Sequence, residues 1–148
     1  MESVPTPEEG RLLLINKPLH WTSFDVVNKL RYKLKTKKIG HAGTLDPLAT
    51  GLLVICTGKY TKKIDEYQGQ EKEYSGEFVI GQTTPSHDLE TEVSPAVDIS
   101  HITEENIFTA AKKLTGSLQQ VPPLHSAIKI NGKRAYKFAR KGKSVELK

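Results

Sequence analysis

The 148-residue sequence predicts an α+β fold with a mixed, largely antiparallel sheet and flanking helices. Three observations lead there. Strand-like runs recur without the regular strand–helix alternation of a parallel sheet. Asn131-Gly132, between short apolar-alternating runs, marks a hairpin turn. Two segments combine a polar N-terminal cap with a helical apolar stripe. A chain of this length buries one ordinary core, so one compact domain over residues 11–148 is expected behind an acidic, flexible tail at 1–10.

The elements follow in order. In "RLLLINKP", Leu12 to Ile15 are continuously apolar and Lys17-Pro18 stops the run, which predicts a short buried strand. "WTSFDVVNKLRYKL" pairs Thr22 with Asp25 as a capping box and sets Phe24, Val27, Leu30 and Leu34 on one stripe, predicting a helix over 23–35. Lys29 to Lys35 also alternate as a strand would, but the cap favours the helix. A loop of small residues follows at 40–51, then the strand "GLLVICTG" and a short helix in "YTKKIDEYQG". "KEYSGEFVIGQ" alternates with Tyr74, Phe78 and Ile80 on one face and reads as a strand. After the polar connection "TTPSHDLETEVSPAVD", "TEENIFTAAKKLTG" has Thr103 as cap, acids in its first turn, lysines in its last and Gly116 at the C′ place. The last stretch predicts a strand through Ile128 and Ile130, the Asn131-Gly132 turn and a basic helix near 135–141.

Charge is segregated along the chain. The net charge is +5, yet residues 28–38 carry six basic side chains and no acid, residues 129–148 carry eight against Glu146 alone, and residues 87–105 hold six acids without Lys or Arg. Two basic patches of this kind suit an anionic polymer such as nucleic acid, and solvated faces explain them equally well. Cys56, the single cysteine, excludes an internal disulfide, and its apolar neighbours place it in the core. No apolar run approaches the ~20 residues of a membrane span, so a soluble, cytoplasmic protein is expected.

Most site chemistries fail on residue spacing. Five scattered His and one Cys offer no zinc pattern, and Gly40, Gly43 and Gly51 match neither phosphate-binding fingerprint. Glycosidase chemistry needs two carboxylates, whereas "GHAGTLDPLATG" holds one, Asp46. Small residues on both sides let another molecule approach closely, and Pro47 biases Asp46 toward extended backbone. Carboxylates are ionised at neutral pH, so this one needs no base to act as a nucleophile. An aspartate capping an ordinary turn satisfies the same pattern. Both readings stand at this level.

The run "GHAGTLDPLATGLLVICTG" resembles the catalytic motif of TruB-type tRNA pseudouridine synthases, G-H-x-G-x-L-D-P-x-A-[TS]-G. "LLLINKPLHWTSFDVV" resembles the family's opening K-P-x-G-x-T-S segment, and "VPPLHSAIKINGKRAYKFAR" its P-P-x-x-S-A-x-K block with a following basic helix. These matches occur in the family's order over residues 12–140. The resemblance implies a pseudouridine synthase fold, with Asp46 attacking a flipped-out uridine, Tyr74 stacking on the base and His41 beside the substrate. Lys17 and Lys129 would support the site or touch RNA. It implies isomerisation of a uridine in the T-arm of tRNA by a monomer, with no cofactor, metal or membrane. Lys29–Lys38 and Lys133–Lys143 are then expected to flank the loop. Leu19 reads as a replacement for the pattern's glycine, Ala42 for a common threonine and Thr91 for a frequent glycine. The family pattern continues with a motif supplying an arginine for the aspartate, so the chain is expected to be the N-terminal part of the catalytic domain. The alternative is an RNA-binding module without catalysis.

Overall fold

The structure, a computed structural model, describes residues 9–119, 129–130 and 133–134. The chain divides into two compact units, Met1–Glu77 and Phe78–Lys148.

In the first unit, strand β1 (Leu12–Lys17), helix α1 (Ser23–Lys33), strand β2 (Ile39–Ala42) and strand β3 (Gly51–Thr57) precede a 3-10 turn (Gly58–Lys63) and helix α2 (Ile64–Gln68). The sheet has the order β1-β3-β2, antiparallel throughout, with Lys17 opposite Gly51 and His41 opposite Ile55. Residues opposite each other share a face, so Leu13, Ile15, Leu53, Ile55 and Ile39 form one apolar layer. Helix α1 covers that layer with Val26 and Val27, and Trp21 and Leu30 close its margins. Helix and sheet are thus paired by one apolar stripe and one apolar face, the arrangement expected of an α+β domain.

Thr22 caps α1 as the sequence predicts: its hydroxyl accepts the Asp25 N–H, and the Asp25 carboxylate accepts the Thr22 N–H at 2.8 Å. The stripe itself is rotated. Val26, Val27 and Leu30 face the sheet while Phe24 and Leu34 are exposed, because the sheet contacts the side of the helix that Ser23 and Val26 share. β1 is also not the fully buried strand that its continuous apolar run predicts. Leu12 and Leu14 lie on the sheet face opposite α1 and are exposed, while Leu13 and Ile15 are partly buried. Continuous apolar composition cannot reveal which face a neighbour covers.

Two further expectations change. The loop predicted from residue 40 begins with a strand, β2, since Ile39–Ala42 pair with β3 despite their small side chains. The strand predicted through Tyr74, Phe78 and Ile80 is absent among the described residues. Residues 71–79 have no regular structure, and an alternating pattern without a backbone partner does not make a strand.

The second unit contains helix α3 (Glu104–Lys113) and the strands β4 (Lys129–Ile130) and β5 (Lys133–Arg134). Thr103 and Asn106 form the reciprocal cap of α3. Leu114 is the C-cap, so Gly116, at φ 106°, stands one place beyond the expected C′ position. β4 and β5 pair antiparallel around residues 131 and 132, as the Asn-Gly signal predicts. The expected basic helix at 135–141 lies outside the described residues.

Candidate active site

The sequence brings two stretches to one end of the β1-β3-β2 sheet. Residues 43–50 join β2 to β3, and the segment from Lys17 to Ser23 joins β1 to α1. The joining loop leaves β2 through Gly43 (φ 96°) and enters β3 through Gly51 (φ 122°), backbone geometry that a side chain makes costly. Between them, Asp46–Ala49 form a turn closed by the Ala49 N–H on the Asp46 carbonyl at 3.0 Å, with Pro47 second in the turn. The turn predicted from composition is therefore real, and Asp46 opens it with an exposed side chain.

Groups from the β1–α1 segment grip the loop on both sides of Asp46. Ser23 Oγ accepts the Leu45 N–H at 2.9 Å and donates to the Leu45 carbonyl at 3.2 Å. The His20 N–H donates to the Pro47 carbonyl at 2.7 Å. Lys17 is fully buried, and its Nζ donates to the carbonyls of Trp21 (2.6 Å), Pro18 (3.0 Å) and Pro47 (3.5 Å). Burial lowers the Lys17 pKa below its ordinary value, and the nearby negative charges of Asp46 and Asp25 oppose that shift. Lys17 thus places a positive charge beneath the loop whose carboxylate faces water.

His41 lies in β2, and its Nδ1 donates to the carbonyl of Gly43. A carbonyl only accepts, so Nδ1 carries a proton in this contact. Tyr74 belongs to the same unit and is 71 % exposed in the irregular segment after α2. Lys129 falls in β4 of the second unit, opposite Arg134. In the first unit, the basic run 29–38 begins about 9 Å along α1 from Ser23, at 1.5 Å per residue, and continues to the start of β2. Its lysines therefore lie toward the far end of α1 from the loop. The second basic run, apart from the backbone of 133 and 134, lies outside the described residues.

A family model described as the N-terminal domain of TruB family pseudouridylate synthases matches residues 31–148. The chain belongs to the TruB family. The matched region contains β2, the Asp46 loop and β3. Among TruB-family relatives, a protein from Parabacteroides distasonis named tRNA pseudouridine synthase B is 55 % identical over 145 residues, covering 94 % of this chain and 62 % of the relative. One of the same name from Flavobacterium johnsoniae is 57 % identical over 152 residues, covering 96 % of this chain and 66 % of the relative. The chain therefore spans less than two thirds of the length of these relatives.

Two participants in this TruB-family loop were not singled out by sequence reasoning, Ser23 and the backbone of His20. The signal for both lies in the K-P-x-G-x-T-S pattern. Counted along it, the glycine falls at position 20, so His20, not Leu19, takes its place. His20 has φ 65°, the left-handed conformation for which glycine is best suited, and histidine is among the residues that tolerate it. That conformation turns the His20 N–H toward Pro47.

Proposed function

We propose that this protein converts a uridine in the T-arm of tRNA to pseudouridine, with Asp46 as the nucleophile. The observation that carries the reading is an exposed carboxylate on a loop anchored on one side by the buried Ser23 hydroxyl and on the other by the His20 N–H. Relatives that share half or more of its residues and carry the name tRNA pseudouridine synthase B support the reaction class. In the isomerisation the N1–C1′ bond breaks, the base turns, and a C5–C1′ bond forms. C5 loses its proton and N1 gains one, so no oxidant, reductant or added group is consumed. An aspartate carboxylate suits this chemistry because it attacks without prior deprotonation, and the bond it forms to the uridine breaks again as product is released, which regenerates the carboxylate.

The uridine must leave its stack to meet Asp46, at a cost of a few kcal/mol. An exposed aromatic ring offers stacking worth about 1–3 kcal/mol per base, the role we assign to Tyr74. His41 stands beside the substrate. Lys17 serves the site by holding the loop, while Lys129 and the basic runs contact the phosphate backbone, a recognition of shape and charge. In this reading the protein acts as a monomer in the cytoplasm, where it meets its tRNA.

Unmodified tRNA is incubated with the protein and with Asp46→Ala, and pseudouridine is mapped. The expected product appears in the T-arm with the parent protein and is absent with the variant. Absence from both, with salt-sensitive tRNA binding retained, would replace the enzyme reading by the RNA-binding module.

A further inference from the structure

We propose that Ser23 is the positioning residue for the Asp46 carboxylate, acting through the peptide unit that joins Leu45 to Asp46. The inference rests on the reading of Asp46 as the reacting group. Ser23 is the first residue of α1 and is 2 % exposed. A hydroxyl at a helix start ordinarily bonds within its own turn. Here it reaches across 22 positions and uses both of its capacities on one residue, accepting the Leu45 N–H at 2.9 Å and donating to the Leu45 carbonyl at 3.2 Å.

The consequence for Asp46 is geometric. The Leu45 carbonyl shares a planar unit with the Asp46 nitrogen and Cα, so holding that oxygen places the Asp46 backbone. On the other side, the His20 N–H holds the Pro47 carbonyl at 2.7 Å, and the proline ring restricts Asp46 to extended backbone. What remains free is rotation about the two side-chain torsions of Asp46. Because Ser23 is packed in α1 next to Val26 and Val27 of the core, the helix and its core become the reference against which the carboxylate is placed. A group that acts on a flipped nucleotide gains most from such placement, since misplacement by about 1 Å can cost 100-fold in rate.

The test compares the full-length protein with Ser23→Ala, Ser23→Thr and Asp46→Ala, using unmodified tRNA. Measurements are kcat and KM, tRNA affinity, thermal melting and hydrogen exchange of the Leu45 amide. Ser23→Ala is expected to lower kcat about 10- to 100-fold, with KM and tRNA affinity within about twofold and faster exchange at Leu45. Ser23→Thr, which keeps the hydroxyl, is expected to recover most of kcat. The proposal is overturned if Ser23→Ala keeps kcat within about twofold while Asp46→Ala abolishes product. It is equally overturned if the loss merely tracks unfolding in the melt, or if threonine at the same foldedness rescues nothing. Activity retained by Asp46→Ala would instead remove the reading of Asp46, and the role of Ser23 with it.

Discussion

Replacing Lys17 by methionine keeps the length of a buried side chain and removes its charge and three donors. Two of the three carbonyls retain a partner, since Pro47 keeps the His20 N–H at 2.7 Å and Pro18 the Trp21 N–H at 3.4 Å. The Trp21 carbonyl, 2.6 Å from Nζ, is left without a donor among the described residues. A fully buried carbonyl left unpaired costs about 1–3 kcal/mol, less at the partly buried Trp21, and a hydrogen bond from a charged donor contributes about 1.5–3 kcal/mol. Relief of the buried ammonium's desolvation offsets part of this. The expected net loss at neutral pH is about 2 kcal/mol, read from urea unfolding followed by far-UV circular dichroism and the fluorescence of Trp21, the single tryptophan. The sign with pH is also determined. Burial lowers the folded pKa below the ordinary 10.5, so between those two values the unfolded chain binds more protons and stability rises with pH. Methionine lacks that contribution, so the gap between the two proteins should widen as pH rises toward 10.5. A Met variant as stable as the parent at neutral pH, or a gap that narrows with rising pH, would refute the reasoning.

Two further outcomes test the frame around the loop. His20→Gly, which removes a left-handed strain of about 1–2 kcal/mol and adds unfolded-chain freedom of about 0.5–1 kcal/mol, should be neutral or stabilising by up to about 1.5 kcal/mol in urea unfolding. His20→Val should lose more than about 1 kcal/mol; equal losses in both would contradict the assigned conformation. Asp25 is held below its ordinary pKa of 3.8 by the Thr22 hydroxyl and then the Thr22 N–H. Its contribution is therefore complete above 3.8 and lost as pH falls through the lowered folded value. The stability difference between the parent and Asp25→Ala should stay constant down to about pH 5 and shrink in stronger acid; a difference independent of pH would count against the capping box.

Local chemistry made much of this protein legible from its residues. Thr22 with Asp25, and Thr103 ahead of α3, start helices because a side-chain oxygen satisfies an otherwise unpaired N–H, a contact within four residues of chain. The pairing of β4 with β5 was legible in the Asn-Gly signal between them, and Gly51 opens β3 for local reasons of backbone geometry. The family, and with it Asp46 as the candidate nucleophile, was legible in "GHAGTLDPLATG" because that run is long and ordered. Long-range pairing was not. The β2 pairing, the missing strand at Tyr74 and the exposed Leu14 depend on which backbone or helix face stands opposite, and composition carries no record of that. Lys17, as a sequence letter, resembles any surface lysine; only folding buries it beneath Asp46 and aims it at three carbonyls. Ser23 and Leu45 are 22 positions apart, and a hydrogen bond between them exists only once α1 is packed on the sheet. The amino-acid order thus determined the local turns, the caps and the candidate carboxylate, while tertiary structure decided what holds that carboxylate in place.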